Sequence, residues 1–379
     1  MKRKVLIIME SMQGGGAEKV LLDLLGSIDS SRYDLELLIV FKVGTLLEKL
    51  PKDVPVRFLY PGKPKGVRRV IEHFVTGRDL LYRRDVRKLI GDDRWDTIVS
   101  FMEGPSLKIH NAIKDRAKRN VTWVHINLAV THWTKYLYKN DRDEAEDYRD
   151  MDGIAFVSSG ALKSFSDYFN LKGPHLQVIN NIIPVEDIRR KAQSDSIVKK
   201  TVTLCSVGRL VEQKRFDRLL ETCAILAREN INFELWILGT GKEEQKLKEM
   251  ARNLHIDKFV RFLGFQPNPY PYMKEADIFV LSSDTEGYPT VVCEALSLGK
   301  PIVSTSITGA EELLEGGAGI LTSLTPQGLA EGIISLIKSP EKRKALEERA
   351  LLASRNFDKA KVLQKVYKII EGEYPDIND

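Results

Sequence analysis

Cysteine is scarce in this chain: only three of the 379 residues are cysteines. They are far apart and no two form a C-x-x-C pair, so the sequence indicates neither a zinc site nor a disulfide framework. We interpret Cys205, Cys223 and Cys293 as buried thiols of a protein that functions in a reducing cytoplasm.

Long apolar runs are also lacking, and no segment approaches the length of a membrane span. The N-terminal sequence MKRKVLIIMES resembles a signal peptide at first sight. Its apolar run, residues 5–9, is however too short for an h-region and ends at Glu10. We interpret the run as a first β-strand and expect a cytoplasmic protein.

No large excess of one charge is present, because 58 Lys and Arg residues face 53 Asp and Glu residues, a net charge of +5. The total gives no support to nucleic-acid binding. Residues 57–88 are locally basic, and apolar residues recur within them at helical spacing. The first interpretation is a core-facing helix with a solvated basic face. The alternative is a peripheral membrane contact of residues 65–90 at the inner face of the plasma membrane, where a lipid-linked acceptor would reside.

The remaining composition, 43% hydrophobic and 29% charged residues, is typical of a soluble globular protein, and the length suits two domains. Short apolar runs alternate with helical patterns along both halves, which predicts mostly parallel, doubly wound α/β sheets. In such sheets, ligands bind at the carboxyl ends of the strands. A polar, charged stretch at residues 185–200 predicts the domain boundary. The predicted strands are residues 5–9, 35–40, 97–101, 121–124, 154–157, 177–179, 202–207, 233–238, 260–263 and 278–281.

Residues 281–304, LSSDTEGYPTVVCEALSLGKPIVS, carry two glutamates eight positions apart. Glu286 lies on a loop after the predicted strand, and Pro289 suits the start of a helix over residues 290–297 that contains Glu294. Eight residues at the helical rise separate the carboxylates by about 12 Å. A glycoside hydrolase pair needs roughly 5 to 9.5 Å. An elongated ligand with a hydroxyl-bearing ring at each end fits the longer spacing.

Between the two glutamates, the helix start offers the N–H groups of Thr290, Val291 and Val292 to an anion. A sugar joined through a diphosphate to a nucleoside has this layout. Arg209 and Lys214 together leave the carboxyl end of the predicted strand 202–207, where two fixed cations can bind a diphosphate. Either cation alone would be an ordinary surface charge.

These segments resemble the motifs of one enzyme family. Residues 281–304 are similar to the E-x7-E signature of the group 1 (family 4) glycosyltransferases, and GRLVEQKRFDRLL is similar to their Gly-Arg, then Lys, phosphate clamp. The resemblance covers nearly the whole chain and is stronger after Val202. It implies the α/β GT-B fold: two Rossmann-like, doubly wound domains that face each other across a cleft, with a C-terminal helix crossing back to the first domain. Residues 1–190 with 357–379 would bind the acceptor, and residues 191–356 the nucleotide-sugar donor.

The resemblance also implies how the donor is held. Glu294 accepts hydrogen bonds from the ribose hydroxyls and Glu286 from the transferred sugar, while Gly287 and Tyr288 lend backbone N–H groups. The expected donor-binding residues are Gly15, Gly16, Arg209, Lys214, Gly264, Phe265, Glu286, Gly287, Tyr288, Thr290, Val291 and Glu294.

A glycine loop, residues 14–16, follows the first strand. A dinucleotide fingerprint that begins at Gly14 would need a glycine in place of Lys19, so a nicotinamide site is disfavoured. The resemblance implies that Gly15 and Gly16 face the phosphates and the sugar of the donor. A structural tight turn is the alternative.

Two further positions follow predicted strands. His125, in WVHIN, would by itself be a packed residue or a helix cap, but the resemblance implies that it contacts the transferred sugar. Gly264 and Phe265 follow the predicted strand 260–263, and the resemblance implies that they contact the nucleobase through backbone atoms.

Two D-x-D sequences, residues 141–143 and 150–152, match a metal-binding pattern of a different glycosyltransferase fold. They lie in a charged run and not at a strand end, so a solvated helix or loop is the better interpretation. No metal site and no cofactor are predicted.

The resemblance therefore implies a retaining, metal-independent hexosyltransferase whose catalytic residues are Glu286, His125, Arg209 and Lys214. Its donor would be a UDP- or GDP-linked hexose or N-acetylhexosamine. Its acceptor would be a hydroxyl of a saccharide or lipid-linked saccharide in polysaccharide, capsule or lipopolysaccharide synthesis. The alternatives are a nucleotide-sugar epimerase of the same fold and a nucleotide-sugar binding module without catalysis.

Overall fold

The structure is a computed structural model that describes residues 1–63, 77–195 and 197–373. The chain divides into two compact units, Met1–Ile182 with Lys359–Asp379, and Ile183–Asp358. In the basic segment predicted as an amphipathic helix, residues 64–76 lie outside the described residues, and Gly77–Ile90 is a helix. None of the helices in the described ranges is both long enough and apolar enough to cross a membrane.

The first unit contains a seven-stranded parallel sheet. Its elements before the second unit are β1 (Arg3–Met9), α1 (Gly16–Leu25), β2 (Tyr33–Phe41), β3 (Val56–Tyr60), α2 (Gly77–Ile90), β4 (Trp95–Ser100), α3 (Pro105–Ile113), β5 (Ala117–Val124), α4 (Asp141–Arg149), β6 (Gly153–Phe156), α5 (Ser159–Phe169) and β7 (Leu176–Val178). The strand order is β3-β2-β1-β4-β5-β6-β7.

The second unit contains a six-stranded parallel sheet. Its elements are α6 (Val185–Lys191), β8 (Thr203–Val207), α7 (Phe216–Arg228), β9 (Glu234–Leu238), α8 (Glu244–Asn253), β10 (Val260–Gly264), α9 (Tyr270–Glu275), β11 (Ile278–Leu281), α10 (Thr290–Ser297), β12 (Ile302–Thr305), α11 (Thr308–Leu314), β13 (Ile320–Thr322), α12 (Pro326–Ile337) and α13 (Pro340–Ser354). The strand order is β10-β9-β8-β11-β12-β13. The last helix, α14 (Lys359–Glu371), returns to the first unit.

Both sheets are covered on two faces, which explains their continuous apolar strands. Side chains that alternate along a strand enter different clusters: Phe279 packs with Trp236 on one face of the second sheet, and Ile278 packs with Leu235 on the other. A parallel strand buried on both faces needs apolar side chains at successive positions, and does not show the alternation of a half-exposed strand.

Each sheet reverses its strand order at one place. In the first unit, β1 pairs with β2 on one side and with β4 on the other. In the second unit, β8 pairs with β9 on one side and with β11 on the other. The connections that leave the carboxyl ends of such neighbouring strands diverge, and ligands of doubly wound sheets bind in the crevice between them. The loops after β1 and β4, and those after β8 and β11, are therefore the candidate ligand loops.

The C-terminal helix α14 is part of the core of the first unit. Tyr367 stacks on Tyr33 with the ring centroids 5.2 Å apart, and its hydroxyl accepts a hydrogen bond of 3.1 Å from the Asp29 N–H. The Thr97 hydroxyl donates to the Ile370 carbonyl at 2.9 Å. The predicted return of the C-terminal helix to the first domain is confirmed.

Several predicted bounds differ from the structure. The strands β3, β12 and β13 were not predicted, because they are short, and β3 lies half-buried in the basic segment. The polar stretch at 185–200 begins with α6, whose Ile188 is buried in the second unit, so the division falls at residue 183 and not after residue 190.

The packing of α14 generates a stability prediction. Replacing Tyr367 by Ala removes an aromatic stack and a hydrogen bond, and should lower the free energy of unfolding by about 2 kcal/mol. Urea unfolding followed by circular dichroism measures the change. Gln364→Ala, on the exposed side of the same helix, is the matched control. Equal stabilities of the two variants would contradict the prediction.

Candidate functional site

The loops after β8 and β11 meet through an ion pair between two predicted site residues. Lys214 ends a short 3-10 helix, Glu212–Lys214, and its Nζ donates to Glu286 Oε1. The same carboxylate oxygen accepts from the Ser283 hydroxyl at 2.8 Å. The side chains of Lys214 and Glu286 are only 19% and 12% exposed, so their charges are poorly screened by water. The sequence predicted both residues for the site but not their pairing.

The start of α10 has fewer free backbone N–H groups for an anion than the sequence predicted. The Val292 N–H donates to the Pro289 carbonyl at 2.9 Å, so Val292 is not available to an anion. The N–H groups of Thr290 and Val291, which precede the first helical bonds, keep that role. The prediction for Val292 is wrong because the helix begins with a tight i to i+3 turn.

Gly309 lies in the first turn of α11, against the segment that carries Glu286. A Cβ on Gly309 would approach the Gly287 carbonyl oxygen to 2.6 Å and the Pro289 ring to 2.8 Å. Only glycine permits this approach, which fixes the backbone between the two glutamates. Gly309 is the second residue of α11, which begins at Thr308.

Glu294 is in the second turn of α10, as predicted, and is 4% exposed. Its Oε1 accepts a hydrogen bond of 3.2 Å from the Tyr270 hydroxyl on α9. Tyr288 hydrogen-bonds to Cys293, and burial raises the pKa of both side chains. Cys293 therefore stays protonated, and its thiol has the packing role that the sequence analysis gave it.

All three cysteines are buried, which confirms that part of the prediction.

The loop that carries Arg209 is held by a glycine turn. The Gly208 N–H donates to the Leu238 carbonyl at 3.0 Å, and the Leu210 N–H donates to the Thr240 carbonyl at 2.9 Å. Gly239 has φ +131°, and a Cβ there would overlap the Gly208 carbonyl oxygen. Residues 239–241 therefore form a turn. Its function is to bring two backbones together below an exposed Arg209.

Gly264 and Phe265 follow β10, next to the same turn. Gly264 has φ +68°, and its carbonyl accepts from the Gly239 N–H at 2.7 Å. Phe265 is 66% exposed to solvent. Large apolar side chains of this kind are more often buried. The position is the predicted one; the contact with a nucleobase stays a prediction.

The glycine loop after β1 is a tight turn into α1. Gly14 has φ +100°, a conformation that favours glycine. Gly15 is the N-cap of α1, and a Cβ there would overlap the Glu18 carboxylate. Gly16 is the first helical residue and is exposed. The turn is present, and the contact with the donor phosphates stays a prediction.

His125 follows β5 directly, at the predicted place. Its N–H donates to Glu103 Oε2 at 3.0 Å, and its ring lies 5.0 Å from the Phe101 ring. Nε2 is buried and has no hydrogen-bond partner among the described residues. Burial lowers the pKa of His125 to about 4, and a hydrogen bond to the Phe101 backbone opposes this shift. The imidazole is therefore neutral at pH 7.

Glu103 is a site residue that the sequence analysis missed. It follows β4, is 1% exposed, and accepts hydrogen bonds from the His125 N–H and from Trp133 Nε1 at 3.1 Å. Burial raises the pKa of its carboxyl. The signal was present: an acid two residues after the predicted strand 97–101 lies at the carboxyl end of a strand, as His125 does.

The D-x-D sequences do not form a metal site. Asp141 and Asp143 lie in the first turn of α4, where the Asp143 N–H donates to the Asn140 side chain at 3.0 Å. Asp152 accepts from the Asn120 N–H at 2.7 Å. Within the part of the chain that the structure describes, no group of three or more His, Cys, Asp or Glu side chains is arranged to hold a metal ion.

The chain is similar to known proteins over nearly its whole length. The family model "Glycosyl transferases group 1" matches residues 187–352. A relative from Campylobacter jejuni, N-acetylgalactosamine-N,N'-diacetylbacillosaminyl-diphospho-undecaprenol 4-alpha-N-acetylgalactosaminyltransferase, is 27% identical, with 98% of this chain and 100% of the relative covered. The lipopolysaccharide core biosynthesis glycosyltransferase LpsE of Rhizobium meliloti is 29% identical, with 53% of this chain and 58% of LpsE covered.

Solved structures share the fold. The crystal structure of Anabaena Alr3699/HepE in complex with UDP and glucose aligns with a TM-score of 0.78 and 22% identity, covering 97% of this chain and 99% of that chain. The crystal structure of WaaG, a glycosyltransferase involved in lipopolysaccharide biosynthesis, aligns with a TM-score of 0.74 and 18% identity, covering 97% of this chain and 100% of WaaG. The predicted GT-B fold is confirmed.

The buried imidazole of His125 generates a pH prediction. Its pKa in the folded protein, about 4, is below the ordinary value of 6.5. The unfolded chain therefore binds the proton first, and the stability that neutral His125 contributes is lost as the pH falls from 6.5 towards 4. In His125→Asn this loss is absent.

The difference in unfolding free energy between the wild type and His125→Asn should therefore shrink by about 2 kcal/mol between pH 7.5 and pH 4.5. Urea unfolding of both proteins at each pH measures it. Groups other than His125 titrate in both proteins, so their contribution cancels when the unfolding free energy of the variant is subtracted from that of the wild type at each pH. A difference that does not change with pH would show that the ring is solvated.

Proposed function

We propose that the chain is a group 1 glycosyltransferase that transfers a sugar from a nucleoside-diphosphate sugar to a hydroxyl of a saccharide or lipid-linked saccharide acceptor. The observation that carries the proposal is the meeting of Lys214 and Glu286 at the strand-order reversal of the second sheet. A cation for a diphosphate and an acid for sugar hydroxyls lie side by side there. The Campylobacter relative is named for transfer to a diphospho-undecaprenol-linked saccharide, which supports an acceptor of this class.

The proposed donor site follows the order of groups in a nucleotide sugar. Arg209, Lys214 and the N–H groups of Thr290 and Val291 bind the diphosphate. Glu294 accepts from the ribose hydroxyls; its neighbour Tyr270 already orients one carboxylate oxygen. The remaining proposed contacts are Gly264 and Phe265 with the base, Gly287 and Tyr288 with the sugar through N–H groups, and Gly15 and Gly16 with the phosphates and sugar.

Glu286 has a defined orientation before any donor binds. A free carboxylate beside a diphosphate would be repelled, whereas Glu286 has one oxygen held by Lys214 and Ser283. In this proposal its other oxygen accepts from a hydroxyl of the transferred sugar. Lys214, which lies between the two negative groups, lowers their repulsion.

His125 is suited to accept a hydrogen bond from the transferred sugar. Its ring donates to the Phe101 backbone and leaves the buried Nε2 without a partner among the described residues, so Nε2 is an acceptor in the neutral tautomer. A sugar hydroxyl at Nε2 would satisfy it. Glu103, which accepts the His125 N–H, holds the backbone at this point.

The proposed reaction is retaining and metal-independent. Negative charge accumulates on the nucleoside diphosphate as the anomeric C–O bond breaks, and Arg209, Lys214 and the start of α10 can stabilise it by preorganised electrostatics. The acceptor hydroxyl attacks the same face that the leaving group departs from, and its proton passes to a diphosphate oxygen. Glu286 lies among hydroxyl-binding groups and takes no part as a nucleophile.

The location and pathway are part of the proposal. We infer a cytoplasmic enzyme that acts at the inner face of the plasma membrane in cell-surface polysaccharide or lipopolysaccharide synthesis, in line with LpsE. An epimerase of the same fold would release an altered nucleotide sugar without an acceptor. A binding module would bind the donor and leave it intact.

One assay distinguishes these three functions. Purified protein is incubated with a panel of UDP- and GDP-sugars, with and without saccharide and lipid-linked acceptors, in the presence of EDTA. We expect acceptor-dependent release of nucleoside diphosphate that EDTA does not abolish, and NMR of the product should give the anomeric configuration of the donor. A strict requirement for Mg²⁺ or Mn²⁺, or an inverted product, would refute this mechanism.

Two substitutions separate donor binding from catalysis. Glu294→Ala removes the ribose acceptor and should raise the donor KM about 10- to 100-fold with little change in kcat. Lys214→Ala removes charge stabilisation of the leaving group and should lower kcat about 100- to 1,000-fold. Steady-state kinetics measure both effects. The exposed residues Glu331 and Lys338, each replaced by Ala, are controls of the same charge; unchanged kinetics in the two site variants would remove the assignment.

A further inference from the structure

The structure ties the segment that carries Lys214 to the segment that carries Glu286 by a set of charged side chains next to, but outside, the donor site. We call Arg215, Asp217, Arg218 and Asp284 the Asp284 cluster. We propose that Arg215 and Asp284 are positioning residues that hold the side chains of Lys214 and Glu286 at the distance and orientation that the reaction requires. This inference rests on the proposed function, because it concerns the same two catalytic groups.

Hydrogen bonds connect the segment that carries Lys214 to the segment that carries Glu286. The Asp284 N–H donates to the Gln213 carbonyl at 3.0 Å, and Gln213 Nε2 donates to the Thr285 carbonyl at 2.8 Å. The Ser282 hydroxyl donates to the Lys214 carbonyl at 2.9 Å. The residues flanking Lys214 and Glu286 are therefore joined at three points, so a displacement of one segment displaces the other.

The guanidinium groups of the Asp284 cluster complete this connection. Arg218, 5% exposed, donates to the Ser282 carbonyl at 2.7 Å and to Asp284 Oδ1 at 2.6 Å. Arg215 NH1 donates to both Asp284 oxygens, at 3.2 and 3.1 Å. The Arg215 Nε donates to Asp217 at 3.0 Å. Asp284 thus receives two arginines from the segment after Lys214.

The backbone of Arg215 indicates that its side chain, and not its conformation, is the reason for an arginine here. Arg215 has φ +50° and ψ 45°, in the left-handed region. Glycine adopts this conformation without cost, and asparagine at a small cost. Arg215 immediately precedes α7, which begins at Phe216. The contacts of the guanidinium with Asp217 and Asp284 are therefore the reason for an arginine at this position.

The charge and the solvent exposure of the Asp284 cluster indicate that it positions the catalytic groups and contributes little to stability. Two arginines and two aspartates make the Asp284 cluster neutral, so it adds no net charge beside the diphosphate. The side chains of Arg215 and Asp284 are 30% and 40% exposed, and ion pairs at such exposure contribute little to stability. The Arg215 guanidinium nevertheless has a fixed direction, because Nε and NH2 donate to Asp217 while NH1 donates to both Asp284 oxygens. Removing Arg215 should therefore change geometry more than stability.

The experiment compares Arg215→Gly and Asp284→Asn with the wild type. Glycine removes the side chain and relieves the backbone strain, so the thermal midpoint of Arg215→Gly should stay within about 4 °C of the wild type. The turnover number should fall about 10- to 100-fold in both variants, with the donor KM changed less than threefold, because a small misplacement of catalytic groups mainly affects the transition state. Arg215→Lys, which keeps a cation, should recover part of the activity.

A matched control variant measures the effect of placing glycine at a left-handed backbone position outside the Asp284 cluster. His255 is exposed and also left-handed, with φ +57°, at the end of α8. His255→Gly should relieve strain to the same degree and leave kcat unchanged. The double variant Arg215→Gly/Asp284→Asn should be no slower than Asp284→Asn alone, because both substitutions break one interaction.

The outcomes are distinct. Wild-type turnover in both variants, or a loss of activity that follows the loss of folded protein, would overturn the positioning role and leave the proposed function intact. If the wild-type protein neither binds UDP or GDP in calorimetry nor transfers any sugar of the panel, the proposed function is wrong and the positioning role falls with it.

Discussion

The contact between Lys214 and Glu286 is the interaction on which the second unit is organised. A lysine and a glutamate 72 positions apart in the chain meet because two neighbouring parallel strands end side by side and send their connections in opposite directions. Water is largely kept from both groups, so their attraction is stronger than that of a surface pair. The pair keeps two charges in a fixed arrangement before any substrate is present, and a preorganised site needs little rearrangement during the reaction.

Glycines make this arrangement possible where backbones must approach closely. Gly239 lets the turn after β9 pass beside Gly208, and Gly309 lets α11 approach the segment between the two glutamates. Neither glycine carries chemistry. Both bring loops from different strands to one edge of the sheet, where the proposed site residues Arg209 and Glu286 lie. The chemistry of the site and its packing are therefore fixed by different residues.

The sequence predicted what depends on local pattern. The strand 278–281 and the helix 290–297 have the predicted bounds, since a continuous apolar run and a proline at a helix start are local signals. Glu294 and His125 lie at the predicted places for the same reason. Glu103 was missed, although it follows a strand as His125 does, because the acid belongs to no motif.

Other features could not be read from the sequence. The role of Asp284 depends on two arginines 66 and 69 positions away and on a left-handed backbone at Arg215, which a helical pattern conceals. Predicting the pairing of Lys214 with Glu286 requires the order of the strands in the sheet. The alternation of strands and helices along the sequence does not determine that order. Residue types were therefore predictable, whereas contacts between distant segments were not.

The return of α14 to the first unit has a consequence for biosynthesis. The surface formed by Tyr33 and Thr97 is synthesised before the second unit, but its cover, which includes Tyr367 and Ile370, is synthesised after the second unit. The second unit is then complete before the first one, contrary to the usual order in which N-terminal domains fold ahead of those that follow. Until α14 has been added, the surface of the first unit that packs against Tyr367 and Ile370 stays exposed on the nascent chain, so the first unit cannot finish folding ahead of the second.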